Sequence, residues 1–289
     1  MRTARPSVRV AQAAAFALVA ISVLAACAQE SAAPTPTVAA GGDACANITT
    51  VTDGTLTVAT SNPAYPPYVI SNDPTNGKGF ESATAYAVAK EMGYPAANVK
   101  WVYAPFDKLF APGSKDYDFA LNQISITPKR AEAVTFSDPY YDAANAALVL
   151  KTSQFASATT MAELQDAKIG VQTATTAQTQ VEAQIQPTQS VSVFPNSSNA
   201  VQALLTGQID VFVTDLPTTL YLSAIKSETT VVGQLPGSAT ADSWGMVLQK
   251  DNPLVSCVNQ SLSAIKDSGE LAQITDKWMT QYSDAPVLG

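Results

Sequence analysis

The chain has 289 residues, 46% of them hydrophobic and 14% charged, with a net charge of −8 and no histidine. A body this acidic is repelled by nucleic acid and by anionic lipid, so neither is expected as a partner. Three cysteines without a close pair, and no imidazole, leave no ligand set for a metal, and nothing in the sequence asks for a cofactor.

Residues 1–26 carry Arg2, Arg5 and Arg9, no acid, and an apolar run from Ala13 to Ala26. That is the layout of a secretory signal peptide. Its end, Leu24-Ala25-Ala26-Cys27, resembles the lipobox of a bacterial lipoprotein. The resemblance implies cleavage before Cys27, acylation of that cysteine, and a body held outside the cell membrane by lipid; an uncleaved anchor is the alternative. Residues 27–46, rich in Ala, Pro, Ser and Gly, read as a lipidated flexible tether. With Cys27 assigned to lipid, Cys45 and Cys257 remain as an even pair in an oxidising compartment. A disulfide between them is expected, with two free buried thiols as the alternative.

The body alternates strand and helix. Leu56–Ala59 reads as a strand, followed by a loop through Tyr65-Pro66-Pro67-Tyr68. A helix is expected from Glu81 to Met92, closed by Gly93 and Pro95. Strands follow at Val99–Tyr103, Phe119–Ile124 and Ala146–Leu150. The pattern then restarts with Thr160 and Glu163 as a capping box and a strand at Lys168–Val171. Helices near 176–185, 197–206 and 216–225 alternate with strands near 190–194, 209–213 and 229–233. A last strand, Trp244–Leu248, precedes helices at 253–268 and 270–282. This order predicts an α/β protein of two lobes, each with a mostly parallel sheet. The expected boundaries are 47–151 plus 247–289 for the first lobe and 152–246 for the second, with crossings near 150–153 and 243–247.

Two strand ends carry candidate ligand groups. In Asp118–Tyr141 a strand turns polar at Asn122-Gln123, Thr127 can cap a short helical turn, and Pro128 suits its first position. Arg130 then lies near a strand's carboxyl end, where open α/β sheets bind ligands and a guanidinium can grip a carboxylate. A surface arginine paired with Glu132 or Asp138 is the plainer possibility. In Ala203–Asp215 a buried strand ends at Asp215, a possible partner for an ammonium group or simply an N-cap for the next helix. Together the two ends suggest a zwitterion held between two α/β units.

Four stretches carry a family resemblance: TLTVATSNPAYPPYV at 55–69, GKGFESATAYAVAKEMGY at 77–94, residues 118–141 with ISITPKR…FSDPYY, and ALLTGQIDVFVTD at 203–215. Over about residues 53–283 the chain resembles the bacterial extracellular solute-binding proteins of family 3, the amino-acid-binding components of polar amino acid ABC importers. The resemblance implies a two-lobed type II periplasmic-binding-protein fold that closes on its ligand and docks, as a monomer, on a membrane permease. It implies that Arg130 grips the α-carboxylate, flanked by Ser125 and Gln123, and that Asp215 receives the α-ammonium. Tyr65 and Phe106 fall on the aromatic pair around the ligand side chain, and Thr175 and Thr176 on the second-lobe loop donating to the carboxylate. Tyr65 and Phe106 otherwise read as core aromatics, and Thr175 and Thr176 as ordinary helix caps. The family usually has glycine where this chain has Ala174. Asn62 stands in the loop where a binder of basic amino acids carries a carboxylate, which leans towards a neutral polar ligand such as glutamine. Lys78 and Lys129 could instead approach a second carboxylate. The same fold serves ligand-sensing adaptors and a few enzymes, among them dehydratases of amino acid precursors. An enzyme would need a proton-transfer group from Asp215 or Glu81, so a binding protein is expected.

Overall fold

The computed structural model describes residues 43–237 and 242–289. The signal peptide, Cys27 and most of the tether lie outside the described residues. In chain order the strands are β1 (Leu56–Thr60), β2 (Val99–Tyr103), β3 (Phe119–Ala120), β4 (Val134–Ala143), β5 (Asn145–Leu150), β6 (Ile169–Gln172), β7 (Ser192–Phe194), β8 (Val211–Asp215), β9 (Thr229–Gln234) and β10 (Asp242–Gln249). The helices are α1 (Phe80–Glu91), α2 (Phe106–Leu109), α3 (Pro128–Ala131), α4 (Thr176–Gln180), α5 (Ser197–Leu205), α6 (Leu216–Ile225), α7 (Leu254–Asp267) and α8 (Glu270–Trp278).

Two five-stranded sheets result, ordered β2-β1-β3-β10-β4 and β7-β6-β8-β5-β9. β1 is parallel to β2 and β3, and β6 to β7 and β8. β10 runs against both its neighbours, and β5 against both of its own. The reversed strand in each sheet is the one that has just crossed from the other lobe. Successive residues on the central strands serve opposite faces, as strand geometry requires. Leu56 and Val58 join one core and Ala59 another; Val211 and Val213 join one and Phe212 the next. Such strands carry apolar residues on both sides because helices cover both faces.

The crossings differ from the expected boundaries. β4 ends at Ala143 in the first sheet and β5 starts at Asn145 in the second, so residues 145–150, expected in the first lobe, pair in the second. Lys151-Thr152-Ser153 reads as a linker because it is polar, whereas the crossing itself carries neither glycine nor proline. β10 starts at Asp242 and pairs within the first sheet, so the return crossing lies earlier than expected. The tail beyond Thr280–Tyr282, expected in the first lobe, returns to the second. Gln234 N–H donates to Pro286 O at 2.8 Å, Leu288 N–H to Gln234 O at 2.9 Å and Met161 N–H to Gly289 O at 3.1 Å. Leu288 is buried there among Ile169, Val171 and Val213.

Two strands also depart from expectation. β3 stops at Ala120 rather than Ile124, because the backbone turns into the left-handed region at Gln123 (φ +50°). β4, ten residues long, escapes the sequence pattern because Asp138-Pro139 interrupts it. Pro139 sits opposite Gly245, where the register shifts and the ladder tolerates a residue without an N–H. The expected disulfide joins Cys45 to Cys257 of α7 across 212 positions, with Cα atoms 4.8 Å apart. Among the described residues no helix is long and apolar enough to cross a membrane.

Candidate functional site

The carboxyl ends of both sheets face one cavity of about 300 Å³ between the lobes. Arg130, Ser125, Gln123, Tyr65, Phe106, Thr175, Thr176 and Asp215 all line it. Neither Lys78 nor Lys129 does, which removes the basic groups suggested for a second ligand carboxylate.

Arg130 is placed by a local device legible in the sequence. Thr127 caps α3, its hydroxyl accepting the Arg130 N–H at 3.2 Å, and Pro128 starts the turn. The side chain is buried and bridges the lobes. Its Nη1 donates to Ser125 O at 2.7 Å, and its Nη2 to Ala174 O in the second lobe at 2.8 Å. The guanidinium lies 4.4 Å from the Phe110 ring centre and 5.8 Å from that of Phe106, within cation–π reach of both. Burial lowers its pKa to about 10, against the opposing pull of Asp242 and Asp215.

Asp215 ends β8 on the other side of the cleft. It precedes α6 without capping it through its side chain, which disposes of the plainer reading. Part of its surface opens to the cavity while protein atoms enclose the rest. Burial pushes its carboxyl well above the usual range. The negative charges of Asp242 and Glu81 add to that effect, and Arg130 opposes it. A cation placed here would relieve three like charges at once.

The remaining residues join the two halves. Ser125 Oγ lies 3.4 Å from Thr176 Oγ1, at the start of α4. Thr175 turns its hydroxyl back to Gln172 O at 2.7 Å. Tyr65 Oη is 2.9 Å from Ser198 Oγ, and Phe106 packs edge-on against Phe110 with ring centres 5.2 Å apart. Ala174 adopts φ +61°, the left-handed conformation for which glycine is the unstrained choice. An alanine there accepts a local strain of about 1 kcal/mol.

Several features were not legible beforehand. Tyr68 Oη meets Thr218 Oγ1 at 3.0 Å in a further, buried bond across the cleft. Asn145, the first residue after the crossing, lines the cavity and donates to Asp242 at 2.8 Å, and Gln180 donates to the same carboxylate at 2.7 Å. Asp107, in the first turn of α2, also lines the cavity, and nothing in the sequence singles it out. Glu81, named in sequence as an acid without a defined place, lies directly behind Gln123. Its carboxylate accepts the Gln123 N–H at 2.6 Å, the Gln123 side-chain amide and the Tyr140 hydroxyl. Gly79 makes that position reachable. A Cβ there would stand 2.3 Å from Tyr68 O, so only glycine lets the start of α1 approach the loop so closely.

Known proteins resemble this chain in sequence and in fold. Residues 56–281 match the bacterial extracellular solute-binding proteins, family 3. An arginine-binding periplasmic protein of Mannheimia haemolytica is 30% identical over 221 residues, covering 75% of this chain and 88% of the relative. Among solved structures, an ancestral arginine-binding protein bound to glutamine superposes with a TM-score of 0.68 at 30% identity, covering 79% of this chain and 99% of that one. The ancestral amino acid-binding protein AncCDT-1, described as a precursor of cyclohexadienyl dehydratase, gives 0.66 at 30% identity and covers 78% and 96%.

Proposed function

Because the chain belongs to the bacterial extracellular solute-binding proteins, family 3, we propose that it captures a free amino acid outside the cell membrane and presents it to an ABC permease. The observation that supports this most is the placing of Arg130 and Asp215 in different lobes around one cavity. A zwitterion offers a carboxylate to the guanidinium and an ammonium to the carboxylate. Ser125, Thr175 and Thr176 add donors around the ligand carboxylate, Gln123 closes the floor, and Tyr65 and Phe106 flank the side chain. Contacts to both lobes exist together only in the closed form, so ligand shifts the population towards closure. The axis of that motion passes through Ala144, between β4 and β5. The protein acts as a monomer, held to the membrane by lipid on Cys27. Micromolar affinity requires about 8 kcal/mol net, within reach of two desolvated charged anchors and aromatic contact.

For the side chain the favoured ligand is neutral and polar, glutamine for example, since Asn62 rather than an acid lines the inner loop. A cationic side chain is the second reading, favoured by Asp107 on the cavity wall and by the arginine-binding relative. Catalysis is disfavoured because the arginine-binding relative that matches most of the chain is a binding protein and Asp215, as partner of the ligand ammonium, is already committed. The test is calorimetric titration of the exported protein, refolded to strip bound ligand, against all twenty amino acids, with Arg130→Ala as control. Saturable binding lost in the variant supports the reading, and no binding to any amino acid sinks it.

A further inference from the structure

Behind Gln123 in the cavity wall lies one carboxylate whose hydrogen-bond partners are all uncharged. Glu81 is 1% exposed, and its hydrogen bonds come from the Gln123 peptide, the Gln123 amide and the Tyr140 hydroxyl. Among the described residues, no element around it supplies a cation. Its own helix carries Lys90 and Glu91 at the far end, where Lys90 pairs with Glu270. β4 offers Tyr140, made harder to ionise by burial and then by the Glu81 charge, and the loop before α1 offers Tyr68, made harder to ionise by burial, then by the Asp215 charge and less by that of Glu81. β10 offers Trp244, whose buried indole N–H has no partner. Across the cleft β8 offers Asp215, a like charge that feels Glu81 directly. The guanidinium of Arg130 faces Asp215 and Asp242 instead.

Glu81 also has a mechanical role. Two of its bonds hold Gln123 in the left-handed conformation, at φ +50°. Gln123 leads directly to Ser125, whose carbonyl accepts Arg130 Nη1. The position of the principal cation therefore depends on this buried acid, two steps away along the chain.

We infer that Glu81 is a positioning residue through which ligand capture is coupled to a proton. When an ammonium settles beside Asp215 its positive charge favours the ionised form of the nearby acids, the Glu81 carboxyl gives up its proton to bulk solvent, and the ionised form grips Gln123. This rests on the amino-acid-binding reading. Desolvation raises the Glu81 pKa to about 7, with the three hydrogen bonds pulling the other way. The sign follows from linkage. The bound form prefers the ionised acid, so affinity is full above the free-state value and is lost as pH falls through it.

The experiment measures binding of L-glutamine and L-arginine at pH 6, 7 and 8 in two buffers of different ionisation heat. For whichever amino acid binds, wild type is expected to release about half a proton at pH 7 and to bind about tenfold more weakly at pH 6 than at pH 8. Glu81→Gln is expected to flatten the profile and abolish the release. Tyr140→Phe, which removes one donor to the charged form, is expected to move the pH midpoint upward, and it serves if Glu81→Gln does not fold. Binding without pH dependence overturns the inference. So does undiminished proton release in Glu81→Gln, which puts the proton on Asp215, or an unmoved midpoint in Tyr140→Phe. Failure of all amino acids to bind, in contrast, sinks the proposed function itself.

Discussion

Replacing Arg130 by methionine separates ligand recognition from stability. Burial sets the folded pKa of the guanidinium at about 10, below its ordinary value, so folding disfavours the charged form at every lower pH. At pH 7 that penalty is on the order of 3 kcal/mol. Against it stand two charge-assisted hydrogen bonds, to Ser125 O and Ala174 O, each contributing roughly 1.5–3 kcal/mol. Methionine fills similar volume beside Phe106 and Phe110, so ligand-free stability should change by no more than about 2 kcal/mol. Affinity has no such compensation, because the ligand carboxylate would be buried without its partner. That loss is about 2–5 kcal/mol, or roughly 30-fold to several thousand-fold in Kd. Urea denaturation of the ligand-free protein and calorimetric titration measure the two quantities separately. A Kd within about threefold of wild type would refute the role given to Arg130. A ligand-free destabilisation above about 4 kcal/mol would show it to be chiefly a structural clamp.

Other expectations follow from the same geometry. The Cys45–Cys257 bond closes a 212-position separation, so the double serine variant should lose up to about 5 kcal/mol in denaturant titration; a loss under about 1 kcal/mol would contradict the loop-entropy account. Ala174→Gly relieves a left-handed alanine that is exposed and packs little, and should raise the denaturation midpoint by an amount equivalent to about 1 kcal/mol, with a lowered midpoint counting against it. Tyr68→Phe removes a buried bond across the cleft and should weaken ligand binding about fivefold by calorimetry. Tyr65→Phe removes an exposed one and should matter less; the reverse order would mean that the buried pair does not report on closure.

How far the sequence carried the reading depended on whether the signal was local. The Thr127-Pro128 cap that aims Arg130 is written in consecutive residues, and it appears in the structure as expected. The eight candidate residues come from distant stretches, yet the strand-end pattern and the family resemblance placed them around one cavity. What escaped was set by pairing between distant segments. β4 needs β10 beside it before Asp138-Pro139 can belong to a strand. The crossing at Ala144 is defined only by the strands that flank it on different sheets. Glu81 reads as an ordinary acid at a helix start until Tyr140, 59 positions away, and Gln123 close around it.

The returning tail gives the molecule a built-in ruler. Cys45 is fastened by its disulfide to α7 in the first lobe, while Gly289 is hydrogen-bonded to Thr159 and Met161 in the second. Dyes placed at Asp43 and Gly289 would therefore ride on opposite jaws, and energy transfer between them would read jaw separation without touching the cleft. The same attachment adds a third leg to the two crossing segments. A swing that lengthens the path from Met279, buried in the first core, to Leu288, buried in the second, must first peel the tail from Gln234. In the proposed closure, opening is thus steered towards directions that leave that span unchanged.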